Sequence, residues 1–142
     1  RKIKLLEGAI RAARPDIIFV PFILDDNDDH RWAAVLLAET LKSFVSNTDI
    51  EIWNYQVYGS LPGNVIVPID KFAEKKVEAI NLYESQSGVR DWAHYSLGLN
   101  AYNTRLTPRA YTGKYVEIFF VIPTREFIKL SDKFWDENDK AI

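Results

Sequence analysis

The sequence contains no cysteine and no methionine in 142 residues. The first absence excludes disulfides, thiolate nucleophiles and cysteine-ligated zinc sites, and says nothing of compartment. The second, with Arg1 as the first residue, gives the expectation of a processed product or a piece of a longer polypeptide. Removal of a signal peptide is one route to such a start, so cytoplasmic and exported locations both stay open. No apolar run nears the roughly 18 residues that span a bilayer, so no transmembrane segment is expected. Basic tracts are also missing, and the formal net charge is −2. That leaves no electrostatic footprint for nucleic acid.

What is present is the composition of a globular chain, 47% hydrophobic and 27% charged. At this length one core suffices, and a single domain over 1–142 is expected. Ile3, Leu6, Ile10 and Ala13 recur at helical spacing, and Pro15 ends that helix. Ile17 to Phe22 is a continuous apolar run, the pattern of a strand buried on both faces. Arg31 to Ser46 reads as a helix with Ala33, Leu37, Leu41, Phe44 and Val45 inward. Ile50 to Val57 is the next strand, closed by the turn residues of GSLPGN, and Val65 to Pro68 is a short one. Asp70 is placed to cap a helix over Lys71 to Tyr83, with Phe72, Val77, Ile80 and Tyr83 as its stripe. Ser87 to Lys114 is irregular or partly helical and rich in Trp, Tyr and Asn. Tyr115 to Ile122 is a final strand, Thr124 is placed to cap a last short helix, and the polar tail from Ser131 is expected at the surface. Strands alternating with helices predict an α/β, Rossmann-like, mostly parallel sheet with helices on both faces. In such sheets ligands collect at the carboxyl ends of the strands.

One loop stands at such an end. Phe22 to Trp32 reads FILDDNDDHRW and crowds Asp25, Asp26, Asp28 and Asp29 together before His30. Two carboxylates about 4 Å apart repel by roughly 1 kcal/mol in water and about 4 at an effective dielectric near 20. Such a cluster needs full solvation, hydrogen-bond donors or a cation. A solvated loop ending near a helix amino terminus, where negative charge is favoured, satisfies this need. A calcium loop does not fit: Asp25, Asn27 and Asp29 start the alternate-ligand pattern, but His30 takes the required glycine and Leu36 the required glutamate. A transition-metal site remains, with His30 as one ligand of the three that a catalytic zinc takes from protein.

The order of features narrows the field. A helix leads into RPDIIFVP, the acidic loop closes in DDH, and VPIDKFAEKKVEAINLYESQ and GKYVEIF follow. Over roughly Arg1 to Phe120 this succession resembles the carboxyl-terminal two-thirds of the PIG-L/LmbE-like deacetylases. Those are zinc-dependent enzymes that remove acetyl groups from N-acetylglucosamine conjugates. Their usual landmarks are Asp-x-His-Pro-Asp-His, then Lys-Lys…Tyr-x-Ser-Gln, then Tyr-Ala-Glu-x-Phe.

The resemblance implies that His30 is a zinc ligand and that Asp29 orients its neighbours in the site. Asn27 falls where many members carry a histidine that stabilises an oxyanion; an amide can donate a hydrogen bond there but cannot relay a proton. Asp25 matches the aspartate that opens the motif. Lys76, Ser85 and Gln86 match the second landmark, and Glu117 and Phe119 the third; for these five an anchoring role stands beside a chemical one. The family's other two zinc ligands and its general base lie in an Ala-His-Pro-Asp-Asp-Glu motif that this sequence does not contain. His94 is the second histidine and reads as a surface or pocket-wall residue.

The implied fold is a Rossmann-like sheet without its first strand or strands, the carboxyl-terminal part of a larger deacetylase domain. It would need an N-terminal segment or a partner chain, and without one would expose a strand edge and an apolar sheet face. The implied activity is zinc-dependent hydrolysis of the acetamide of an amino-sugar conjugate. Trp92, Tyr95, Tyr102 and Tyr111 are candidates to face the sugar. Arg105 and Arg109 are candidates to meet a phosphate or carboxylate on the substrate. A non-catalytic carbohydrate-binding or interaction module is the reading of a different class, favoured by Asn27 and the absent front motif. A nucleotide binder is discounted because no Gly-x-Gly-x-x-Gly or Walker-type loop occurs.

Overall fold

A computed structural model of the chain describes residues 1–44 and 50–135. Among these residues the order is helix α1 (Lys2–Ala13), strand β1 (Ile17–Pro21), α2 (Asp28–Leu41), β2 (Glu51–Tyr55), β3 (Val65–Pro68) and α3 (Ala73–Asn81). The short α4 (Glu84–Ser87), α5 (Trp92–Asn103), β4 (Val116–Pro123) and α6 (Thr124–Phe134) follow. Two compact units result, one of Arg1–Asn64 with Phe119–Ile142 and one of Val65–Ile118, and β4 runs through both. The fold is mixed α/β, with an open sheet in the order β1-β2-β4-β3.

The sheet corrects the expectation of mostly parallel strands. β1 and β2 are parallel, with Ile17 opposite Glu51 and Pro21 opposite Tyr55. β2 and β4 are antiparallel, with Glu51 opposite Pro123 and Tyr55 opposite Phe119. β3 also runs antiparallel to β4: the Asn64 amide donates to the Phe119 carbonyl at 2.9 Å and the Ile69 amide to the Tyr115 carbonyl at 3.0 Å. Strand–helix alternation produces parallel strands only where each helix carries the chain back to the same end of the sheet. α2 does so between β1 and β2. Between β3 and β4 come three helices in succession, and β4 re-enters in the opposite direction.

In the first unit, Ile18, Val20, Ile52 and Asn54 share one face by the alternation of the two strands. α2 packs on β1 and α6 on β2, and the two helices pack on each other. α2 buries Ala34, Val35, Leu37, Ala38, Thr40 and Leu41. Leu37 and Leu41 are inward as expected, but Ala33 is exposed, because the buried stripe runs through Ala34 and Ala38. The side chain of Phe44, and the expected helical residues Val45 and Ser46, lie outside the described residues. α1 buries Ile10 and ends where Arg14 takes a left-handed φ of 48° and its amide returns to the Ile10 carbonyl. Pro15 then blocks continuation.

The opposite face of the same strands is aromatic. Phe19, Trp53 and Phe119 form a mutual cluster with ring centroids 5.2 to 5.8 Å apart. Phe119 is buried, yet Phe19 is 57% exposed and Ile17 40%. β1 is an edge strand.

Two expected caps do other work. The Thr124 hydroxyl donates to the Ile50 carbonyl at 2.9 Å, tying the start of α6 to the strand beside it, while Pro123 takes the cap position. Asp70 opens a short 3-10 turn, and its carboxylate accepts from the Lys114 amide at 2.6 Å and the Tyr111 hydroxyl at 2.8 Å. The segment read as irregular or partly helical contains α5, whose first turn is capped by Asp91 on the His94 amide.

Candidate functional site

Because β1 and β2 are parallel, their carboxyl ends lie at the same edge of the sheet, and the loops leaving them meet there. The meeting point is Asp25. Its side chain is 1% exposed. Oδ1 accepts from the Asn27 amide at 3.1 Å and lies 2.9 Å from His30 Nδ1. Oδ2 accepts from the amides of Tyr58 at 3.0 Å and Gly59 at 3.3 Å. Burial pushes the Asp25 carboxyl up, but the Tyr58 and Asn27 amides, the His30 ring and the Gly59 amide outweigh it and hold the group below the usual carboxylate range. A Cβ at Gly59 would sit 3.4 Å from the Asp25 Cα and from the Leu24 carbonyl oxygen, an ordinary contact distance, so the two loops pack closely here.

His30 stands in the first turn of α2 with its side chain 27% exposed. Its ring stacks on that of Tyr58, centroids 5.6 Å apart and planes 13° from parallel. Asn27 caps α2, its Oδ1 accepting from the Asp29 amide at 2.8 Å and the His30 amide at 3.3 Å. The ring is thus bonded by Asp25, five residues upstream, whereas Asp29 beside it is exposed. Arg31 pairs with Asp28 and also donates to the Asp25 carbonyl at 2.6 Å.

The crowd of aspartates now has a physical account. Asp25 is buried and fully bonded. Asp28 and Asp29 sit in the first turn of a helix, where the aligned peptide dipoles favour negative charge. Asp26 is exposed to water. Among the described residues no group of three or more His, Cys, Asp or Glu side chains is placed to hold a metal ion. The residues present fit one ligand position, the His30 Nε2 that Asp25 leaves unengaged.

The second unit holds the later landmarks except Phe119, which belongs to the first. Lys76 Nζ lies 2.5 Å from Glu117 Oε1 and 2.9 Å from Asn100 Oδ1, and the buried Asn100 donates to the Val116 carbonyl at 3.0 Å. Ser85 and Gln86 are exposed on α4. Trp92 and Tyr95 meet edge to face at 6.1 Å, with the Arg90 guanidinium 5.9 Å from the Trp92 ring. Arg105 lies 3.9 Å over the exposed Tyr102 ring, Arg109 is exposed, and so is His94. Tyr111 is engaged by Asp70, as described.

Tyr58 was not singled out from sequence, and Gly59 was read only as a turn residue of GSLPGN. Their signal was positional: they directly follow the second strand of a parallel pair, where the rule for open sheets directs attention.

No family model matches this sequence. The fold is similar to that of the conserved protein TT1542 from Thermus thermophilus, with a TM-score of 0.73 and 19% identity over 86% of this chain and 58% of that one. It is also similar to GalB, the 4-carboxy-2-hydroxymuconate hydratase of Pseudomonas putida, with a TM-score of 0.65 and 16% identity over 85% of this chain and 57% of that one. The chain therefore spans a little over half the length of these two structures, and what it shares with them is the fold.

Proposed function

We propose that this chain is part of a zinc-dependent de-N-acetylase of the PIG-L/LmbE-like kind, acting on the acetamide of an N-acetylglucosamine-type conjugate. The single observation that carries the reading is the Asp25–His30 pair: a half-open imidazole backed by a buried carboxylate at the carboxyl end of the parallel strands. His30 would supply one zinc ligand through Nε2. Two further ligands and the general base would come from a segment outside this chain, and the sequence order quoted above supports that completion. The chemistry that zinc supplies when bound is Lewis acidity, polarising the amide carbonyl and acidifying a water. Asp25 holds the imidazole in place. Asn27, whose Oδ1 is committed to the helix cap, keeps its amide N–H groups as candidate donors to an oxyanion. The exposed aromatic and arginine residues of α5 and beyond remain candidates for the conjugate.

Purified full-length protein should bind zinc stoichiometrically and release acetate from N-acetylglucosamine conjugates, and His30→Ala should abolish both. Acetate release that survives His30→Ala would overturn the reading. So would a zinc-loaded wild type that releases none.

A second reading, a non-catalytic carbohydrate-binding or interaction module, draws on Asn27 serving as a cap where the family carries histidine. Saccharide binding without zinc and without acetate release would favour it.

A further inference from the structure

A neutral imidazole can bind a metal or accept a proton only through the nitrogen that carries no hydrogen, so the tautomer decides what the ring can do. An ionised carboxylate only accepts hydrogen bonds. Asp25 is surrounded by backbone N–H groups: the Asn27 amide on Oδ1, and the Tyr58 and Gly59 amides on Oδ2. None of these donors can become an acceptor. The remaining contact, His30 Nδ1 at 2.9 Å from Oδ1, must therefore bring its own hydrogen. The Tyr58 ring stacks nearly parallel to the imidazole, with centroids 5.6 Å apart, so the loop whose amides hold the carboxylate also sets a ring beside it.

We infer that Asp25 is the positioning residue of this site, fixing His30 in the tautomer protonated on Nδ1, leaving Nε2 bare and coupling that choice to the loop that carries Tyr58. Asp29, adjacent in sequence, has no part in it. The use of the bare Nε2 as a zinc ligand rests on the function proposed above; the tautomer does not.

The test is a long-range proton–nitrogen correlation spectrum of the metal-free full chain at about pH 8.5, above the ordinary histidine range. His94, exposed on α5, serves as an internal reference. His30 should show the pattern of a ring protonated on Nδ1, and His94 the opposite or averaged pattern of an imidazole in water. Asp25→Asn brings an NH2 group into a ring of donors and should shift His30 to the His94 pattern. Asp29→Asn should leave His30 unchanged. A wild-type His30 protonated on Nε2, or one altered by Asp29→Asn and not by Asp25→Asn, overturns the assignment. If Asp25→Asn does not fold, the wild-type spectrum with Asp29→Asn decides. Failure to release acetate would leave this result intact, so the two claims fail separately.

Discussion

Lys76 and Glu117, 41 positions apart, close an ion pair of 2.5 Å whose side chains are 25% and 32% exposed. Lys76 also donates to Asn100, so one ammonium links α3, α5 and β4 inside the second unit. Landmarks carried over by resemblance thus meet as an anchor. Surface pairs contribute roughly 0 to 1 kcal/mol, and hydrogen bonds to charged groups about 1.5 to 3. This partly screened pair should show a coupling of about 1 kcal/mol in a double-mutant cycle of Lys76→Met and Glu117→Gln by urea unfolding. Lys76→Met alone should cost more than Glu117→Gln, since it also strips the Asn100 oxygen of its donor.

Asn27 separates structure from chemistry. Replacing this cap by alanine should cost about 1 kcal/mol, and Asn27→Ser should keep most of the cap while losing the amide donor. If the amide steadies an oxyanion, Asn27→Ser lowers kcat on the order of 10²-fold at nearly constant stability. An unchanged kcat would reduce Asn27 to a cap alone.

The aromatic face of the first unit should be adhesive. A free strand edge beside an exposed Phe19 offers both backbone pairing and apolar contact. Sedimentation of the chain should show concentration-dependent association, and Phe19→Lys should weaken it while changing stability by no more than about 1 kcal/mol. A wild type that stays monomeric at high concentration contradicts this.

Asp70 gives the second unit an acid limit. The Lys114 amide and the Tyr111 hydroxyl hold its carboxyl below the ordinary range. A depressed folded value means that the contribution is present above the unfolded value of about 3.9 and is lost as pH falls through the folded one. The stability difference between wild type and Asp70→Asn should be constant near neutrality and shrink below about pH 4. A difference that persists in strong acid would show that the clasp does not depend on charge.

Local chemistry was readable wherever a residue acts on its own neighbours in sequence. Pro15 stopped α1 and the apolar run at Ile17 made β1, whereas α2 opens at Asp28 on the Asn27 cap, three residues before the expected start at Arg31. Thr124 and Asp70 were misread because their oxygens found partners far along the chain, at Ile50 and at Tyr111 and Lys114. A cap and a tertiary clasp use the same side-chain atoms, and only the fold chooses between them. Strand direction was hidden for a similar reason: alternation counts elements, whereas the direction of β4 depends on where the helices before it leave the chain.

The sequence by itself determined that a histidine and four aspartates would stand just after an apolar strand, because an apolar run is a local property. Which aspartate meets the imidazole was decided only in three dimensions. The parallel pairing of β1 with β2 brings the amides of Tyr58 and Gly59 to Asp25, and a carboxylate can stay charged in a buried place only where such donors converge on it.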